Sequence, residues 1–175
     1  MDAALSGELG VIDVHSVVPM RRSESCERFW LAMVDIDHFK RVNDGFGHQI
    51  GDEVLILVAR SLKKSFRGSD RIYRFGGEEF VILLRSSDDA AVVQVVERFR
   101  RQVEAAKFPK VASLTTSVGL AEVQETDSPT TACEKADQAL YYAKNNGRNR
   151  VCSHADLANM GLFKNETKVS DVDLF

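Results

Sequence analysis

An α/β fold, with helices flanking a central and mostly antiparallel sheet, follows from three features of the sequence. Strand and helix periodicities alternate in the order strand, helices, hairpin, helix, strand, helix, strand. The run Phe29 to Val34 is continuously apolar, as expected of a central strand buried on both faces. Two further strand-like runs, 70–75 and 80–84, are joined through Gly76-Gly77, a hairpin signal.

Each element has its own warrant. Gly7, Gly10 and Pro19 interrupt short apolar groups, so residues 1–25 are set apart as an N-terminal arm. The first strand ends in Asp35-Ile36-Asp37, and a period of two puts both aspartates on one face at its carboxyl end. Lys40 to Phe46 reads as a short helix broken by Gly45 and Gly47. Asp52 to Phe66 is amphipathic, with Leu55, Val58, Ala59, Leu62 and Phe66 at helical spacing and Lys63-Lys64 at the dipole's negative end. The hairpin is expected to close on a type I′ turn, whose two central residues need φ > 0 and so favour Gly76-Gly77.

Asp88-Asp89 opens a helix running to about Lys107, with Val92, Val95, Val96, Phe99 and Val103 turned inward. Val111 to Val123 alternates as a strand. Ser128-Pro129 supplies an N-cap and an N1 proline for a helix that ends at Asn146-Gly147. Arg148 to Ser153 forms the last strand, and the polar residues 154–175 are assigned no structure. The folded domain is thus expected over residues 26–153.

Composition bounds the function. The 175 residues, 44% hydrophobic and 28% charged, suit one globular domain. A net charge of −3 gives no broad nucleic-acid surface, and the longest apolar runs are too short for a bilayer. Three widely spaced cysteines form neither a disulfide framework nor a zinc signature, so a reducing, cytoplasmic compartment is expected.

Chemistry concentrates in acidic pairs. Glu78 and Glu79 stand where strand formers belong, and the predicted topology brings them to the end of the sheet that carries Asp35 and Asp37. Converging carboxylates repel unless a cation neutralises them. Their hard oxygens suit Mg²⁺, shared with substrate phosphates in phosphoryl-transfer sites.

The spacing Asp35-x-Asp37-x-Phe39-Lys40-x-x-Asn43-Asp44-x-x-Gly47-His48-x-x-Gly51-Asp52, then Gly76-Gly77-Glu78-Glu79-Phe80, resembles the GGDEF family of diguanylate cyclases in its Gly-Gly-Glu-Glu-Phe variant. Ala136-Asp137-x-Ala139-Leu140-Tyr141-x-Ala143-Lys144-x-x-Gly147-Arg148-Asn149 resembles that family's last helix. The family's opening motif, Asp-x-Leu-Thr-x-Leu-x-Asn-Arg-Arg, has no match before Asp35.

The resemblance implies a fold similar to that of nucleotidyl cyclases and polymerase palms. It implies condensation of two GTP into cyclic di-GMP with release of two pyrophosphates, in a transient homodimer driven by an upstream sensory or dimerising module or partner. It places Mg²⁺, or Mn²⁺, on Asp35, the Ile36 carbonyl and Glu78, and gives Glu79 a part in activating the 3′-hydroxyl. Asn43 and Asp52 match guanine contacts, and Lys144 and Arg148 match phosphate contacts, read here as i and i+4 on one helix face. Phe39 and Lys40 belong to the turn whose backbone N–H groups also take phosphate.

Arg67-Gly68-Ser69-Asp70 resembles the family's inhibitory Arg-x-x-Asp site, with Arg98 as its secondary arginine. Plainer roles stand beside these: Asp52 as a helix cap, Lys144 and Arg148 as answers to the helix dipole, and Asp37 as a structural acceptor. A domain that senses cyclic di-GMP with little or no turnover is the alternative function.

Overall fold

The structure, a computed structural model, describes residues 27–108 and 110–163; the expected N-terminal arm, residues 1–25, lies outside them. Its elements run β1 (Arg28–Ile36), α1 (Phe39–Phe46), α2 (His48–Ser65), β2 (Arg71–Arg74), β3 (Glu79–Ser86), α3 (Asp89–Ala105), β4 (Thr116–Val123), α4 (Pro129–Asn145), β5 (Val151–Ser153) and α5 (His154–Asn159). The sheet order is β2-β3-β1-β4-β5. All pairings are antiparallel except β4 with β5, so the expected mostly antiparallel sheet is present.

β1 lies at the centre, and alternation divides it between two cores. Trp30, Ala32, Val34 and Ile36 join the larger cluster with α1, α2 and α3, including Val54, Val58, Leu62, Val96 and Phe99. Leu31 and Met33 face the opposite side, where Ala136 and Leu140 of α4 cover them. Each fully buried aliphatic or aromatic side chain contributes about 1.5–3 kcal/mol of burial, so the larger cluster dominates stability.

Gly119 of β4 fixes how close α4 comes. A Cβ built there would stand 2.0 Å from the Ala136 carbonyl oxygen and 2.3 Å from the Leu140 nitrogen. Only glycine lets the helix backbone rest directly on the strand.

Four local expectations are corrected. Arg74 pairs with Phe80, and the Phe75 N–H donates to the Glu79 carbonyl at 2.9 Å, so the connection is longer than a two-residue turn. Neither Gly76 nor Gly77 has positive φ; the Arg74 guanidinium instead donates to the carbonyls of Gly76, at 3.2 Å, and Gly77, at 2.7 Å. The strand expected from Val111 begins only at Thr116, because Val111 is engaged in an isolated bridge with Phe108 and residues 112–115 form a loop. Helix α2 begins at His48, with Gly47 as its N-cap at φ 83°, because that glycine reverses the chain between two helices. Residues 154–159, expected to be unstructured, form α5: the Ser153 hydroxyl accepts from the Asp156 N–H and Leu157 is buried.

The remaining caps are as expected. Asp88 accepts from the Ala90 and Ala91 N–H groups, and Ser128 from that of Thr131.

Candidate active site

The β1–β3 register opposes Asp35 to Glu79, and the Ile36 N–H donates to the Glu78 carbonyl at 3.3 Å. The two acidic segments therefore meet at one end of the sheet. Asp35 is 3% exposed and points to the α4 side, where Lys144 donates to its Oδ2 at 2.7 Å. Glu78 and Glu79 are half-buried beside it.

Burial dominates the electrostatics. It pushes the Asp35 carboxyl above the usual range, and Asp37 adds to this, although Lys144 and, more weakly, Arg148 favour the charged form. Desolvation thus outweighs even a close ammonium partner, as is common for buried ion pairs. Burial likewise raises Glu78, followed by repulsion from Asp35; Lys144 opposes both, and Glu79 adds a smaller repulsion. The cluster carries more negative charge than the chain relieves by itself.

Among the described residues no group of three or more His, Cys, Asp or Glu side chains is arranged to hold a metal alone. The donors at hand are the Asp35 and Glu78 carboxylates and the Ile36 carbonyl. That all-oxygen, incomplete set, with carboxyls raised by burial and mutual repulsion, fits a hard divalent cation completed by phosphate oxygens.

Asp37 does something else. It is 4% exposed, and its carboxylate accepts from Thr115 Oγ1 and Ser117 Oγ, each at 2.7 Å, and from the Asn149 N–H at 3.1 Å. Every bond is to a protein donor, so the structural reading of Asp37 is the one the geometry favours.

Across the α1–α2 corner, Asn43 packs against Gly51: a Cβ there would meet Asn43 Oδ1 at 2.0 Å. Asn43 thus lies against the first turn of α2, whose next residue is Asp52. Because α2 starts four residues before Asp52, that exposed carboxylate does not cap the helix. Phe39 is 4% exposed and belongs to the core, so only its backbone faces the turn; Lys40 is exposed on α1.

Lys144 lies in the last turn of α4, but Arg148 is not on that helix. The Arg148 N–H donates to the Ala143 carbonyl at 3.0 Å across Gly147 (φ 107°), closing the helix in a Schellman arrangement. The expected shared helix face is replaced by a turn in which Gly147, Arg148 and Asn149 all have positive φ. Lys144 and Arg148 nonetheless both act on Asp35.

The Arg67–Asp70 pair sits elsewhere, between α2 and β2. The Arg67 N–H donates to the Asp70 carboxylate at 2.8 Å, and the Asp70 N–H returns a bond to the Arg67 carbonyl at 3.0 Å. A cavity of about 440 Å³ opens there, lined by Lys63, Phe66, Arg67, Asp70 and Arg71 among others. Arg98 reaches over from α3 to donate to the Ser65 carbonyl at 2.8 Å.

Sequence reasoning missed the supports: Gly119, and the buried Arg100, whose guanidinium engages Glu97, Glu104 and Asn149. Arg100 reads in sequence as one more basic residue on a charged helix, and only its tertiary partners set it apart.

Comparison with known proteins agrees with this arrangement. The model of the family described as "Diguanylate cyclase, GGDEF domain" matches residues 19–150. Diguanylate cyclase DgcP of Pseudomonas aeruginosa is 46% identical over 124 residues, which are 69% of this chain and 18% of that protein. Diguanylate cyclase A of Treponema denticola is 40% identical over 132 residues, 73% of this chain and 36% of its own length. The chain thus spans well under half of either relative. Among solved structures, the GGDEF domain of DgcB from Caulobacter crescentus, in complex with c-di-GMP, aligns with a TM-score of 0.70 at 34% identity, covering 74% of this chain and 79% of that one. The active GGEEF domain of a diguanylate cyclase from Vibrio cholerae gives 0.68 at 33%, covering 72% and 82%. By sequence, by fold and by the meeting of its two acidic segments, the chain belongs to the GGDEF family.

Proposed function

We propose that this domain is a diguanylate cyclase, joining two GTP molecules into cyclic di-GMP and releasing two pyrophosphates. The single observation that carries the reading is the pairing of Asp35 with Glu79 beside Glu78. It gathers carboxylates from two distant segments at one sheet end, with Lys144 and Arg148 above them.

Asp35, the Ile36 carbonyl and Glu78 would hold Mg²⁺, or Mn²⁺ on the same oxygens. Bound there, the ion neutralises triphosphate charge and polarises the α-phosphoryl group. Glu79 takes the proton of a 3′-hydroxyl as that oxygen attacks the α-phosphorus of the other GTP and pyrophosphate leaves. Asn43 and Asp52 read the guanine edge, since a carboxylate accepts from its ring N–H and exocyclic amine together, a donor pair that adenine lacks. Lys144, Arg148 and the backbone N–H groups at Phe39 and Lys40 hold the phosphates.

One domain cannot align both reacting ends, so two GTP-loaded domains must face each other as a transient dimer. The much greater length of the relatives supports an additional module or partner that brings the domains together. No helix among the described residues is long and apolar enough to cross a membrane.

A second reading has its own observation. The cavity at Arg67 and Asp70 suits cyclic di-GMP as a feedback inhibitor, with Arg98 nearby, or as the sole ligand of a sensor with little turnover. Incubation with GTP and Mg²⁺, with nucleotides resolved by chromatography, separates the two. Cyclic di-GMP formed by the wild type and not by Glu78→Ala supports the cyclase; tight cyclic di-GMP binding without GTP consumption supports the sensor.

A further inference from the structure

We propose that Asn149 is a positioning residue for nucleotide binding, anchoring the left-handed turn that aims Arg148 at the triphosphate to the buried Arg100 of α3. The inference rests on the nucleotide-binding reading above and adds a residue to it.

Asn149 is tied on three sides. Its backbone N–H reaches Asp37 Oδ2 at 3.1 Å, its side-chain oxygen accepts from Arg100, and its amide donates to Glu104 at 2.7 Å. Arg100 is itself fixed, 7% exposed, by Glu97 at 2.8 Å and Glu104 at 2.7 Å. A bidentate guanidinium held by two carboxylates makes a stiff anchor.

What the anchor holds is strained. Arg148 and Asn149 have φ of 59° and 46°, conformations that residues with a Cβ rarely adopt. Such geometry persists where the surroundings over-determine it. Among the described residues Arg148 shows no side-chain hydrogen bond that would aim it: its backbone N–H serves the helix end and its carbonyl accepts from Arg150. The direction of its guanidinium therefore depends on the turn, and the turn on Asn149.

The same contacts reach Asp35 by a second route. Asp37, two residues on, accepts from the turn and from the hydroxyls of Thr115, just before β4, and Ser117, within it. In Asn149→Gly the backbone bond to Asp37 is kept, because glycine adopts the same φ without strain; only the side-chain anchor is lost.

The test uses the full chain and a GTP analogue with methylene between its α and β phosphates, which cannot release pyrophosphate, titrated with Mg²⁺ by calorimetry. Asn149→Gly is expected to weaken binding about tenfold, the scale of one or two lost hydrogen bonds to charged groups. In the Arg148→Ala background the same substitution should change affinity less than about twofold, because the effect acts through Arg148.

Equal loss in both backgrounds, or no loss with Arg148 present, overturns the proposal. Failure of the wild type to bind the analogue overturns the underlying reading, a distinguishable result. Glu104→Ala guards against a folding defect in Asn149→Gly: this side chain is 47% exposed, so the variant should fold and still weaken binding about threefold. Unchanged binding in that variant also counts against the anchor.

Discussion

Lys144 and Asp35, 109 positions apart in the chain, form an ion pair of 2.7 Å between the last turn of α4 and the end of β1. Even with that partner the Asp35 carboxyl stays above its usual range, because burial is the larger influence. The acidic end of the sheet is therefore maintained at an energetic disadvantage, and this has measurable results.

Glu78 shows the disadvantage most directly. Burial and Asp35 raise its carboxyl, so the folded state binds that proton more tightly than the unfolded chain. By linkage its contribution to stability falls as pH rises from the ordinary carboxylate range through the raised one, and the deficit persists at neutral pH. Glu78→Gln should therefore raise Tm at pH 7 by about 2–4 °C while abolishing turnover. Thermal melts at pH 4 and pH 7 should show the gain shrinking in acid.

Turnover should have the matching acid limb. To hold the proposed ion Asp35 and Glu78 would have to be charged, and both resist ionisation. The rate should fall with decreasing pH from a point above the normal carboxylate range. Raising Mg²⁺ should move that limb to lower pH, since metal and protons compete; initial rates across pH at two Mg²⁺ concentrations check this.

Gly119→Ala should be severe. Its methyl group would collide with the backbone of α4 rather than a flexible side chain, so a loss of about 3 kcal/mol or more is expected. Chemical denaturation measures the loss. Activity per folded molecule should fall as well, because α4 carries Lys144.

Gly51→Ala should separate recognition from folding. The added methyl overlaps mainly the end of the Asn43 side chain, which can swing aside; it also comes within 3.3 Å of the Phe39 ring, a small strain set against the roughly 1 kcal/mol by which alanine favours the helix. Melting should change little. The KM for GTP should rise about tenfold, the scale of one lost recognition hydrogen bond, and preference over ATP should drop.

Arg67→Ala leaves the carboxylate cluster untouched. Initial rates should match the wild type, whereas the concentration of cyclic di-GMP needed for inhibition should rise about tenfold or more, as expected for a lost charged contact. Equal inhibition curves, or none at all, would remove Arg67 from the proposed product site.

Much of the fold was legible because its signals are local. Asp88 and Ser128 announce their helices through capping chemistry, and the run Phe29 to Val34 could only be central. The meeting of Asp35 with Glu78 and Glu79 followed from topology once the hairpin was recognised. What escaped depends on distant partners. Gly76-Gly77 looks like a tight turn, yet Arg74 organises a wider one through carbonyls that no composition rule foresees. Asp37 and Asp35 have the same spacing logic, and only the hydroxyls of Thr115 and Ser117 distinguish them. Asn149 lay inside a recognised motif, but its anchor, Arg100, became visible only through burial.

The Asp37–Asn149 bond spans 112 positions, nearly the full described domain. A nascent chain leaving the ribosome would carry Asp37 for 112 further residues before it held the turn that completes the acidic surroundings. Competence to engage nucleotide would then come as a late, all-at-once event, and a polypeptide truncated before residue 149 would fold its sheet, if at all, around an unfinished pocket.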